Sequence, residues 1–215
     1  MTTTTLPSDV LVGDLLDIAP VVPVVVLHDV EHAVPLAEAL VRGGIGIIEV
    51  TLRTAAGLPA LERIAREVPG MVAGAGTVTT PAQVDAVRDA GARFLVTPGS
   101  PDRLLGAALD SGLPLLAGAS TVTEMMRLAE RGLTSLKFFP AEPSGGREYL
   151  SAVSGPLPDL RFCPTGGISA ATAQEYLALP NVGCVGGSWL TPRDAVESGD
   201  WDRVERLAAE AAALR

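Results

Sequence analysis

Lys137 is the chain's only lysine; every other basic residue among the sixteen is an arginine. It stands in the run LKFFP, with Leu136, Phe138 and Phe139 as neighbours. Apolar enclosure strips water from an ammonium and favours the neutral amine, the form that attacks a carbonyl carbon to build an imine. An incidental lysine snorkelling from a strand end is the alternative, although such lysines favour exposed helix faces. Glu49 breaks a second apolar run, IIEVTLRT. A partly desolvated carboxylate near an amine can move protons as a general acid and base. It could equally be the structural ion-pair partner of Arg53 or Lys137, and a pair of that kind does not exclude catalysis. Arg53 carries a planar fork suited to a carboxylate ligand, unless it is simply a surface arginine before a helix.

Two glycine pairs follow. TGGIS places Gly166 and Gly167 after Thr165, and GGSW places Gly186 and Gly187 before Ser188. Backbone N–H groups freed by paired glycines at a helix start form an anion site, though tight turns alone would also require glycine. Thr77 in GAGTV is open between substrate binding and strand-end hydrogen bonding, and for Thr97 in VTPGS the second role is expected. His28 and His32 are four residues apart, but Asp29 and Glu31 beside them read as capping and dipole residues at a helix entry. Two histidines and two distant cysteines, Cys163 and Cys184, do not make a metal site, so neither a metal nor another cofactor is expected.

These residues need a scaffold that gathers them, and the hydrophobic pattern supplies one. Short β-branched runs alternate with stretches of helical periodicity, predicting strands over 21–26, 45–50, 71–75, 94–96, 114–117, 135–138, 161–164 and 184–186. Helices are predicted over 31–42, 57–67, 81–90, 101–111, 121–131, 147–153, 169–179 and 201–214. Thr80, Ser100 and Ser120 offer capping hydroxyls at or near three helix starts. A further amphipathic segment over 10–19 is placed under a barrel floor. Eight βα units in one domain of 215 residues predict an α/β fold, a single (β/α)8 TIM barrel with an extra N-terminal helix and residues 1–8 flexible. An open doubly wound sheet is the rival, but no GxGxxG turn follows the first strand. In a barrel the strand ends collect Glu49, Arg53, Thr77, Lys137, Thr165, Gly166, Gly167, Gly187 and Ser188 at one mouth, with phosphate sites often following the seventh and eighth strands.

A formal net charge of −9 argues against binding a nucleic-acid backbone. The start of the chain lacks the cationic and apolar regions of a signal peptide, and the apolar run near 18–27 is short and interrupted by two prolines. No membrane partner is expected. Unpaired cysteines fit a reduced, cytoplasmic setting.

Taken in order, EHAVPLAEALVRGG, EVTLRT, GAGTV, LKFFPAE, RFCPTGGIS and GGSWL resemble one family across nearly the whole chain: the 2-keto-3-deoxy-6-phosphogluconate (KDPG) aldolases, also described as 4-hydroxy-2-oxoglutarate (KHG) aldolases. The resemblance implies that Lys137 is the Schiff-base lysine and Glu49 the proton-transfer carboxylate. It further implies that Arg53 and Thr77 hold the keto acid's carboxylate. Gly166, Gly167 and Ser188 would bind phosphate, and Thr165 and Phe139 would line the pocket. A metal-independent homotrimer acting on a phosphorylated 2-keto acid and releasing pyruvate is implied as well. The substrate's sugar-acid epimer, gluconate- or galactonate-derived, stays open, and VTPGSP on the fourth strand departs from the family pattern. The residue reading by itself leaves room for a phosphate-binding barrel isomerase or epimerase, which would need no imine.

Overall fold

A computed structural model describes residues 12–214. Its strands are β1 (Val21–Val25), β2 (Ile47–Thr51), β3 (Val72–Gly76), β4 (Leu95–Val96), β5 (Leu115–Ala119), β6 (Ser135–Phe138), β7 (Arg161–Pro164) and β8 (Val185–Gly187). All neighbours run parallel, in the ring order β8, β1, β2 and so on to β7. The last joint, β7 to β8, is made by two isolated parallel bridges, Phe162 to Val182 and Thr165 to Gly186. The helices are α1 (Val12–Ile18), α2 (Ala33–Arg42), α3 (Gly57–Glu67), α4 (Pro81–Asp89), α5 (Asp102–Asp110), α6 (Val122–Glu130), α7 (Gly146–Val153), α8 (Ala170–Leu177), α9 (Arg193–Ser198) and α10 (Trp201–Ala212). Strands alternate with helices around the ring, which makes the expected (β/α)8 barrel.

The strands form where they do because barrel strands are covered on both faces, by the barrel interior on one side and by helices on the other. Every residue of β1, β2, β3 and β5 is buried. Aliphatic runs satisfy that demand; a charged residue inside such a strand does not, and packing alone gives no reason for Glu49 or Lys137 to be there. Beneath the barrel, α1 supplies Leu15 and Leu16 to the core, and Asp17 takes a two-pronged grip from Arg161 at the start of β7, at 3.0 and 2.8 Å. The floor-covering segment is therefore found; residues 10 and 11 of its expected span, and the expectation for 1–8, lie outside the described residues.

Several boundaries differ from the expected ones for local reasons. The helix expected from residue 31 opens with a separate 3-10 turn, Val30–His32, in which the Asp29 carboxylate accepts from the Glu31 N–H at 2.9 Å. Thr80 caps α4 in a reciprocal box with Gln83. On α6 the capping hydroxyl belongs to Thr121, boxed with Glu124, rather than to Ser120. Ser100 caps nothing: Pro101 takes the N-cap position of α5, and the Ser100 hydroxyl turns to Thr97 Oγ1 at 2.9 Å and the Gly118 carbonyl at 3.3 Å. Helix α9 was not expected, because six residues are too few for a helical period to declare itself.

Candidate active site

Lys137 is the third residue of β6 and Glu49 the third of β2. Three strands lie between β2 and β6 either way around the ring, so the two face each other across the barrel and inward side chains meet near its axis. Lys137 Nζ donates to Glu49 Oε1 at 3.0 Å and to Oε2 at 3.2 Å. The residues are 3% and 2% exposed, so water screens this pair very little. The sequence pointed to an amine kept neutral by apolar walls and left Glu49 open as a partner of either Arg53 or Lys137. The structure makes the pair with Lys137, one proton transfer away from a neutral amine beside a neutral acid.

The neighbours hold this pair in place. Glu49 lies against the backbone of β3 at Gly76, where a Cβ would sit 2.1 Å from Glu49 Oε1; only glycine leaves the carboxylate its seat. The Phe139 ring centroid is 5.4 Å from Nζ, within cation–π range. Cys163 is the register partner of Lys137 on β7. Its thiol is held below the usual range by a hydrogen bond from Cys184 and, against the opposing effect of burial, by the positive charge of Lys137.

Arg53 and Thr77 also come together, Arg53 Nε donating to Thr77 Oγ1 at 3.0 Å. Thr77 has φ 59°, a left-handed conformation that a β-branched residue rarely adopts and that costs on the order of 1–3 kcal/mol. That strain is spent at the rim of the mouth, beside an arginine fork. Thr97 takes the structural role expected of it, accepting from the Gly118 N–H at 3.1 Å. Thr51, another strand-end hydroxyl, donates to the Val25 carbonyl at 2.8 Å.

The two glycine loops lie side by side, joined by the Thr165–Gly186 bridge. Gly166 and Gly167 have φ of 104° and 86°, backbone that L side chains rarely adopt. Among the described residues the N–H groups of Gly167 and Ser188 donate to no protein acceptor, while that of Gly166 faces Gly186 across the bridge. The Gly166–Gly167 turn leads directly to the N-terminus of α8, whose dipole favours an anion, and Ser188 follows β8 on the neighbouring loop. Gly187 is covered by the Trp189 ring, and the exposed Ser188 opens onto a cleft of 470 Å³ together with His28, His32, Thr191 and Arg193. A larger groove of 690 Å³ between α5 and α6 contains none of the catalytic or substrate-binding candidates from the sequence. No group of three or more His, Cys, Asp and Glu side chains among the described residues could hold a metal ion, and no described helix is long and apolar enough to cross a membrane.

Sequence reasoning missed one polar contact at this mouth. Tyr176, fully buried on α8, donates its hydroxyl to Glu142 Oε1 at 2.6 Å. Glu142 ends the LKFFPAE motif, but nothing in its spacing points to a tyrosine 34 residues further on.

Comparison with known proteins agrees with this geometry. The family model for KDPG and KHG aldolases matches residues 12–207. The chain is 54% identical over 200 residues to a 2-dehydro-3-deoxy-phosphogluconate aldolase of Pseudoalteromonas atlantica, covering 93% of each chain. It is 52% identical over 197 residues to the KHG/KDPG aldolase of Escherichia coli K12, covering 92% of each. Among solved structures, the KDPG aldolase of Legionella pneumophila, with pyruvate captured as a covalent carbinolamine, superposes with a TM-score of 0.92 at 44% identity, over 94% of this chain and 98% of that one. The KDPG aldolase of Zymomonas mobilis with 3-phosphoglycerate gives 0.90 at 41% identity, over 95% and 96%. An opposed amine and carboxylate inside a barrel of this sequence therefore have a family: the chain belongs to the KDPG and KHG aldolases and is a class I aldolase.

Proposed function

We propose that this enzyme cleaves 2-keto-3-deoxy-6-phosphogluconate to pyruvate and glyceraldehyde 3-phosphate, with Lys137 as the imine-forming amine and Glu49 as the proton carrier. The buried contact between Lys137 Nζ and both oxygens of Glu49 is the observation that carries the reading. Passing a proton to Glu49 frees the amine, whose lone pair adds to the carbon 2 ketone to give a carbinolamine. Glu49 returns that proton to the carbinolamine hydroxyl, which leaves as water, giving the iminium beside a carboxylate again. Glu49, through a water, removes the carbon 4 hydroxyl proton; the carbon 3–carbon 4 electron pair flows into the iminium, and the aldehyde departs. Protonation of the enamine at carbon 3 and hydrolysis of the imine release pyruvate and return the amine.

Arg53 and Thr77 bind the keto acid's carboxylate in this scheme, the arginine fork supplying charge-assisted donors. Gly166, Gly167, Gly187 and Ser188 receive the phosphate through N–H groups and a hydroxyl, while Thr165 and Phe139 wall the space between. The dual naming of the Escherichia coli relative supports a second substrate, 4-hydroxy-2-oxoglutarate, cleaved to pyruvate and glyoxylate by the same chemistry. The same reading takes the protein as a cytoplasmic homotrimer of single-domain subunits, for which sedimentation should give three times the 22.1 kDa of one chain.

Borohydride reduction in the presence of pyruvate tests the covalent step. The expected result is one reduced pyruvate adduct per chain, mapped to the peptide containing Lys137. Absence of added mass would remove the imine from the mechanism.

A further inference from the structure

We propose that Glu142 and Tyr176 form a clamp that fixes the Gly166–Gly167 loop, making Glu142 a positioning residue for the phosphate end of the substrate. The inference rests on the reading that this loop seats the phosphate.

Glu142 follows β6 in the loop that begins directly after the amine-bearing strand, and three contacts tie that loop to the glycine turn after β7. The Ala141 N–H donates to the Thr165 carbonyl at 2.8 Å, and the Glu142 N–H donates to the Gly166 carbonyl at 3.0 Å. The stem of Glu142 packs on Gly167, where a Cβ would lie 2.6 Å from Glu142 Cγ and 2.7 Å from its Cβ. The far end of Glu142 is then fastened to α8 by the Tyr176 hydroxyl at 2.6 Å. Burial, and then the bond to Glu142, hold the Tyr176 phenol well above its usual range, so the donor keeps its proton throughout working conditions.

The glycine turn is thus gripped between the loop that leaves the Lys137 strand and the helix that the turn itself opens. A carboxylate beside an anion seat works against binding unless it has another use. Here its use is mechanical: it holds the N–H groups that meet the phosphate in their binding geometry, and a seat that must be ordered on binding holds its ligand more weakly.

The test is steady-state kinetics on two substrates, 2-keto-3-deoxy-6-phosphogluconate and the unphosphorylated 4-hydroxy-2-oxoglutarate, for wild type, Glu142→Ala, Glu142→Gln, Tyr176→Phe and Gly167→Ala. Losing a hydrogen bond to a charged group should raise KM for the phosphorylated substrate about tenfold in Glu142→Ala and Tyr176→Phe. Their kcat values, and their KM for the unphosphorylated substrate, should stay within about twofold of wild type. Glu142→Gln, which can still accept from Tyr176, should behave as wild type. Equal losses on both substrates, or a fall in kcat alone, would overturn the clamp and leave a merely structural contact. Tyr176→Phe removes one oxygen only, and undiminished trapping of pyruvate on Lys137 certifies its fold. If Gly167→Ala impairs only the phosphorylated substrate while the Glu142 and Tyr176 variants do not, the clamp is wrong and the phosphate reading stands. If Gly167→Ala changes neither KM, the phosphate reading falls and takes the clamp with it.

Discussion

Two ion pairs in this molecule have similar chemistry and opposite significance. Arg42 on α2 meets Glu205 on α10 at 2.6 Å, with side chains 49% and 40% exposed. Lys137 meets Glu49 at 3.0 Å with side chains 4% and 3% exposed. The shorter contact matters less. Water and salt screen the surface pair, whose worth is typically about 0–1 kcal/mol. In the barrel, desolvation of both ions opposes folding, their attraction is barely screened, and removing one partner strands the other. A close distance is therefore a poor guide to importance; the medium around the contact decides it.

Replacement of Lys137 should sharpen that contrast most. Lys137→Ala is expected to lower cleavage by more than about 10²-fold, read in a coupled aldehyde assay, since the covalent route is gone. It should also cost about 3–5 kcal/mol in a denaturant melt, because Glu49 is left buried without a partner. Adding Glu49→Gln should restore stability while restoring no activity; retention of more than a hundredth of wild-type turnover by Lys137→Ala would break the comparison. Glu49→Gln alone is expected to slow turnover by about 10²- to 10⁴-fold while borohydride trapping persists, and an unchanged rate would take Glu49 out of the proton path. Gly76→Ala should fall next: its methyl must displace the Glu49 carboxylate, so kcat should drop by about 10- to 100-fold with secondary structure intact by circular dichroism. The smallest effect belongs to the surface. Arg42→Ala should cost no more than about 1 kcal/mol and less at high salt, with normal kinetics, and a cost like that of Lys137→Ala would erase the distinction drawn here.

Much of this site was legible in the sequence because its residues break strong local patterns. Lys137 and Glu49 each interrupt an aliphatic strand, and a polar residue in a doubly covered strand stands out without any structure. Their pairing was open, because sequence order says nothing about which strands lie opposite; 88 residues separate them. The barrel gives the answer, placing the second and sixth strands face to face. The glycine turns were legible as backbone signals, whereas the Glu142–Tyr176 contact depends on how a loop and a helix dock. Capping was read to within a residue at α6 and misread at α5, because the Ser100 hydroxyl had a stronger tertiary acceptor set in Thr97 and Gly118. Helix α9 escaped because length, not composition, is what makes a helix visible.

The joint between the seventh and eighth strands has one more implication. Most staves of this cask are paired by ladders of two or more rungs within named strands, but here, as between β3 and β4, pairing is sparse. Both glycine turns stand at the top of that seam. Breathing of the seam would spread them apart, and a multiply charged guest spanning both would act as a hoop. Deuterium uptake along Arg161–Pro164 and Val185–Gly187 should accordingly slow when a phosphorylated keto acid is present and remain unaltered by pyruvate, which is too short to reach across.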